Sequence, residues 1–422
     1  MGWRAAFAVA LLAVGVAAPG PPAAVARSAL DAAVPALQRG RSQPGDDRLA
    51  SVQAVLDARV AALGAGDRAA WMGSVDPRAP AAFHEAQARI FDGLRSLPIE
   101  RYGLEARVQD TGDLSAGLET RYGASVFLPE TRQRLRLRGY DDRDAVDSLW
   151  LTFVQRQGQW YIAGDEDLSA LGLDTFRGLW DFGPVEATAG DRLLTLYHPA
   201  RAERARVLAS ITEEALAVLA DRWDQPWSGR VVLILPGSTD ELEKLLQSTI
   251  DLDKFVAFVS YGAVRDAGWE ATAPRVYIQD ARLSGYGRAY QVETLVHELV
   301  HAAGVPLAGP HIPAWVHEGV AEWIAAGRPA REPRPKGSDG RLPRDFEFTT
   351  GAQPGILRAY RESRSATSYL AGRWGRGAPG ALFGAAGEPK VAAGSVDFHV
   401  DAALRRAAGI GLAQLESGWA GR

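Results

Sequence analysis

The chain has 422 residues, 47% hydrophobic and 23% charged, which is enough to bury a core in each of two domains. Its net charge of −4 excludes a global basic field of the kind that holds nucleic acid or an anionic membrane surface. With no cysteine, disulfides, thiolate metal ligands and a lipidated N-terminal cysteine are excluded, so any metal site must be built from histidine and carboxylate.

Residues 1–26 read as a secretory signal peptide. Arg4 supplies the positive end, Ala5 to Ala18 an apolar run, and Ala24 to Ala26 an A-x-A cleavage site before Arg27. The run is short for a membrane span. The expectation is a secreted, extracellular protein, with an uncleaved N-terminal anchor as the alternative and the sole membrane contact. Export without disulfides fits a bacterial protein better than a small eukaryotic scaffold.

Residues 27–45 form a linker, and 46–180 a first domain. Val52, Val55, Leu56, Val60 and Leu63 follow helical spacing, with Gly64 placed to cap the helix. A second helix is predicted through "FHEAQARIFDGLRSL", with Phe83, Ile90, Phe91 and Leu94 on one stripe. After Pro98 the period changes to two. Arg134, Arg136 and Arg138 alternate with Leu135 and Leu137, and "SLWLTFVQRQGQWYIAG" reads as a hairpin turning at Gly158. Helices followed by antiparallel strands resemble the cone-like α+β fold of the nuclear-transport-factor and polyketide-cyclase type, over about residues 46–170. That resemblance implies an accessory role, and His84 reads as an ordinary helix histidine.

Residues 186–422 form the second domain. A helix is predicted through Val207, Leu208, Ile211, Ala215, Val218 and Leu219, then a strand "RVVLILP" ended by Pro236, and another in "APRVYIQD". The loop "LSGYGRAY" leads into "YQVETLVHELVHAAGVPLAGPHIPAWVHEGVAEW", Tyr290 to Trp323, which holds four of the seven histidines. His297, Glu298 and His301 form His-Glu-x-x-His. Four residues apart on a helix, the two histidines share a face and can reach one ion, with Glu298 one position round. Gly304 and Pro306 stop that helix. A second helix follows, from Pro313 in its first turn to Gly327 at its cap, with Glu318 and Glu322 four apart on one face.

The third ligand is not His-x-x-Gly-x-x-His, because Leu307 stands where that histidine belongs and the chain's two methionines, Met1 and Met72, offer no downstream turn. Instead, His-Glu-x-x-His followed by Trp315, Glu318, Gly319 and Ala321 resembles the gluzincin branch of zinc metallopeptidases, which carry a Trp-x-x-Glu-Gly-x-Ala setting. The motif match covers about forty residues and implies a mainly helical, zincin-like domain with a small sheet. On that resemblance His297, His301 and Glu318 are ligands to one Zn2+ per chain. Glu298 is the general base for a zinc-activated water that hydrolyses a peptide bond of a peptide or protein substrate. Glu322 matches an acidic position that orients a ligand histidine. Tyr360 and Tyr369 are the candidate transition-state donors. The strand "RVYIQD" is a candidate edge for pairing with substrate backbone.

Four other readings are open. The histidines can be ordinary helix residues. The scaffold can be a catalytically inactive secreted zinc-binding or interaction protein, against which intact Glu298 argues. The amide can belong to a cell-wall peptide, which needs the same ligands. The first domain can be the one that binds a ligand. If Glu318 is not a ligand, the third position falls to His311 or His317. "GRGAPG" (Gly375 to Gly380) reads as a loop, no P-loop or G-x-S-x-G elbow is present, and Arg328 to Asp345 reads as a surface loop.

Overall fold

The computed structural model describes residues 12–14, 47–108, 112–247, 252, 255–264, 270–350, 352–388 and 395–421. Of the segment read as a signal, only Leu12–Val14 (β1) is among them, and the linker 27–45 lies wholly outside them. The chain divides into two compact units, one ending at Ala187 and the other beginning at Thr188, to which β1 belongs. Helices and small sheets make it a mixed α and β protein, and no helix of the described residues is long and apolar enough to cross a membrane.

The first unit opens with α1 (Asp47–Ala65), α2 (Arg68–Gly73) and α3 (Ala81–Arg95). α1 runs one residue past the expected Gly64 cap, because Gly66 takes the left-handed turn at φ 71°. β2 (Ile99–Arg107), β4 (Glu130–Leu137) and β5 (Ala145–Leu149) form one antiparallel sheet, and β3 (Val126–Phe127), β6 (Thr152–Arg156) and β7 (Gln159–Gly164) another. Along β4 the period of two buries Thr131, Gln133, Leu135 and Leu137 and leaves the intervening arginines half-buried. β6 turns into β7 at Gln157 and Gly158, both at positive φ, as a two-residue hairpin requires. α4 (Gly112–Tyr122) lies between β2 and β3 and is not marked by a clear apolar stripe. Val52 and Leu56 of α1 close the core over Leu104, Phe153, Trp160 and Ile162.

Asp76, 1% exposed, ties the α2–α3 connection to β6 through Arg156, whose Nη2 donates to Oδ2 over 2.7 Å. Burial works against the Asp76 charge, but hydrogen bonds from Arg156 and from the Arg78 amide outweigh it and hold the carboxyl below its ordinary value. Stability from this pair is therefore complete above the unfolded value of about 4 and is lost as pH falls through the lowered one. Asp76→Ala is expected to cost about 2 kcal/mol, since Arg156 loses charged hydrogen bonds but can recover water. Hydrogen exchange across residues 47–187 measures it as faster exchange at pH 7, with a difference that shrinks as pH falls through the lowered Asp76 value. Unchanged exchange would show the pair to be dispensable. His84 Nε2 meets the Asp76 carbonyl oxygen at 3.0 Å, a structural contact.

The second unit contains a six-stranded sheet in the order β1, β11 (Ala257–Tyr261), β14 (Arg275–Ile278), β10 (Val231–Leu235), β9 (Leu193–Tyr197) and β8 (Glu186–Ala189). β9, β10 and β14 run parallel, and β11 is antiparallel to β14. This corrects the expectation for "RVYIQD": β14 is paired on both sides and offers no free edge. α5 (Ala202–Arg222) buries Leu208, Ile211, Ala215, Leu216 and Leu219, while Val207 of the expected stripe is exposed. After α6 (Thr239–Leu246), the two-residue strands β12 (Ala263–Val264) and β13 (Glu270–Ala271), and α7 (Asp280–Leu283), the chain becomes helical. It forms α8 (Arg288–Gly304), α9 (Ala314–Ala325), α10 (Gln353–Trp374), α11 (Ala378–Gly387), α12 (Val396–Ala408) and α13 (Leu412–Ala420). The expected loop Gly375 to Gly380 is loop only to Gly377, since Ala378, Pro379 and Gly380 already belong to α11.

Candidate metal centre

α8 packs against α5, β11, β14 and α9, so its apolar residues Leu295, Val296, Leu299 and Val300 are all buried and its histidines are carried into the interior. A 3₁₀ turn at Val305–Leu307 ends it, and Pro313 at the N-cap starts α9. α9 lies against both α8 and α10. Its closeness to α10 depends on Gly319: a methyl group there would stand 2.5 Å from Thr367 Oγ1 and 2.8 Å from the Ser363 carbonyl oxygen. Gly319→Ala is expected to push α9 off α10, costing about 1–3 kcal/mol by overpacking and displacing the neighbouring Glu318 carboxylate. Calorimetry should show a lower melting temperature; an unchanged one would mean that the interface yields freely.

These elements bring together His297, His301 and Glu318, the one group of three such side chains among the described residues whose ligand atoms converge. His297 Nε2 lies 3.1 Å from His301 Nε2 and 3.2 Å from Glu318 Oε2, and His301 Nε2 lies 3.4 Å from the same oxygen. Ligands held at about 2.0–2.1 Å around a tetrahedral ion stand about 3.3 Å from one another. The three atoms therefore have the spacing of three corners of such a site, and the group could hold a metal ion.

The side chains are deeply buried: His297, Glu298, His301 and Glu318 are 1%, 0%, 1% and 4% exposed. Burial lowers the proton affinity of His297, but Glu318 and Glu322 outweigh it and raise the imidazole well above its ordinary value. Burial opposes the Glu318 charge, yet His301 and His297 pull its carboxyl down to about 2. His301 is lowered, mainly by burial. A metal ion would compete with protons for the same lone pairs.

Glu298 supplies a second sign that the site is built for an additional group. Both of its carboxylate oxygens are buried without a hydrogen-bond partner, and burial raises its pKa to about 8. An unpaired buried carboxylate is costly, so its retention beside three convergent ligand atoms fits a site where metal and water complete the set.

Glu322 Oε1 lies 3.3 Å from His297 Nδ1, on the ring edge opposite the triad, within ion-pair range but out of line for a hydrogen bond. Tyr360 reaches the centre from α10: its hydroxyl bonds Glu318, its ring centroid is 6.4 Å from that of His297, and Phe348 packs edge-on against it. Tyr369, nine residues on and half a turn out of phase, packs against Trp374 and Gly418 instead. His311 stacks on His399 with centroids 4.0 Å apart. His317 meets Phe383 edge-on, and burial lowers its pKa to about 3. The structure brings neither His311 nor His317 into the triad.

Arg364 was not marked by any motif, although it follows Tyr360 by four residues and so shares its face of α10. It donates from Nη1 to Glu322 Oε2 over 3.2 Å. Comparison with protein-family models, with characterised proteins and with solved structures finds no match for this chain.

Proposed function

We propose that the protein is a zinc-dependent peptidase that hydrolyses peptide bonds, with His297, His301 and Glu318 as metal ligands and Glu298 as general base. One observation carries the reading: three convergent ligand atoms 3.1–3.4 Å apart, beside a buried carboxylate with both oxygens unspent. Two neutral imidazoles and one carboxylate select a zinc-like cation over hard ions, which favour all-oxygen sites. When bound, zinc would polarise the scissile carbonyl and lower the pKa of water to about 7.

The chain's own residues supply the rest. Glu298 holds the attacking water, takes its proton and delivers it to the leaving amine. Glu322, whose carboxylate faces Nδ1 of His297, favours a proton on that nitrogen and so leaves Nε2 free to ligate. The Tyr360 hydroxyl, which bonds Glu318, is the donor for the negative charge that develops on the carbonyl oxygen. The leader-like first 26 residues support export of the chain.

Elemental mass spectrometry of the purified protein should find about one zinc per chain, and a peptide library should be cleaved in a manner that chelation stops and zinc restores. Absence of zinc after growth with zinc supplied would remove the reading. Zinc without cleavage of any library peptide would leave a binding protein in its place.

A further inference from the structure

The metal centre does not end at Glu322. Glu322 has two carboxylate oxygens: Oε1 faces His297 Nδ1 at 3.3 Å, and Oε2 accepts from Arg364 Nη1 at 3.2 Å. The other edge of the same guanidinium is held by Glu332, with Nε donating to both carboxylate oxygens at 2.8 Å and Nη2 donating over 2.5 Å. Glu332 belongs to the irregular segment after α9, and that segment is fastened at Pro329 and at Glu332 itself. The Pro329 carbonyl accepts from Trp323 Nε1 and Ser368 Oγ, each at 2.9 Å. The Glu332 carbonyl accepts from Ser365 Oγ, which in turn accepts from Trp419 Nε1.

We propose that Arg364 is a positioning residue for the metal ligand His297, acting through Glu322 and itself held in place by Glu332. This rests on the metal-centre reading given above. A planar fork suits the task, because it engages two carboxylates along separate edges with fixed geometry, which a lysine ammonium cannot do. The pairs are partly buried, with side-chain exposures of 19% for Arg364, 9% for Glu322 and 19% for Glu332, so solvent competes for them less than at an open surface. With Arg364 in place, Glu322 presents one oxygen to His297 in a single orientation. Without it, the carboxylate can rotate, and the imidazole loses its fixed partner.

The test is zinc affinity of the full chain, measured by competition with a chromophoric chelator, with the melting temperature of the metal-free protein recorded alongside. Arg364→Met keeps the length and apolar stem and is expected to weaken zinc binding about ten- to a hundredfold, the range for loss of an outer-shell partner. Arg364→Lys should recover part of the loss. Glu332→Gln should weaken binding by a smaller factor, and the double variant should bind no more weakly than Arg364→Met alone, because Glu332 acts only through Arg364. Wild-type affinity in Arg364→Met, with or without a lower melting temperature, would overturn the proposal. So would two independent effects that multiply in the double variant. Should Arg364→Met fail to fold, wild-type affinity in Glu332→Gln would overturn it equally. If the parent itself binds no zinc, both this inference and the metal reading fall; if the parent binds zinc and the variants match it, this inference alone falls.

Discussion

Glu318→Ala is expected to strip the protein of its metal. Losing an outer-shell partner weakens metal binding about ten- to a hundredfold, so losing one of three direct ligands should exceed about a hundredfold. Neither remaining histidine of the segment is placed to substitute, since His311 is stacked on His399 and His317 meets Phe383 edge-on. Elemental analysis should therefore fall from about one zinc per chain in the parent to almost none in the variant. A second readout is independent of activity. At a free zinc level about a thousandfold above the dissociation constant, binding adds about 4 kcal/mol of stability. For a unit of this size that corresponds to about 8–16 °C. Chelation should lower the parent's melting temperature by that amount and leave the variant's where it was. Equal zinc content in the two proteins would show that Glu318 is not a ligand.

Glu298→Gln separates binding from chemistry. The amide has the shape of the carboxylate but cannot take a proton from water, so zinc content should be unchanged while peptide hydrolysis falls by about 10²–10⁴. The site leaves the substituted side chain little escape, because residue 298 is fully buried and neither carboxylate oxygen has a partner to rearrange around. Zinc retained with hydrolysis unchanged would remove Glu298 from the mechanism. Zinc lost together with activity would instead make Glu298 part of the metal's own coordination.

The site was legible to the extent that helical spacing carries it. His297 and His301, and then Glu318 and Glu322, sit four residues apart on helices bounded by Gly304, Pro306, Pro313 and Gly327, and spacing on a helix fixes a face. The β6–β7 hairpin was legible for a similar reason, as Gly158 meets a local conformational demand. What depends on partners distant in sequence was not legible. β14 reads the same whether central or at an edge, since its apolar run reports burial and not which strands flank it. Arg364 looks like any solvated helix arginine until the fold places Glu322 and Glu332 on either side of it. Tyr360 and Tyr369 differ by half a helical turn, and which of them stands beside Glu318 emerges only from the packing of α10. The role of Gly319 likewise emerges only when Thr367 and Ser363 are seen against it.

The short break between α8 and α9 also bears on the order in which a new chain acquires its metal. His297 and Glu318 are 21 positions apart, so closing the loop between them costs little chain entropy. Arg364 joins from 42 positions beyond Glu322 and cannot arrive until α10 has docked. Contacts this local form early relative to those that need distant segments. On the metal reading proposed above, the centre could capture an ion while much of the chain is still unformed, and be tightened around it afterwards. In such an order the ion would serve as a folding template before it served any chemistry.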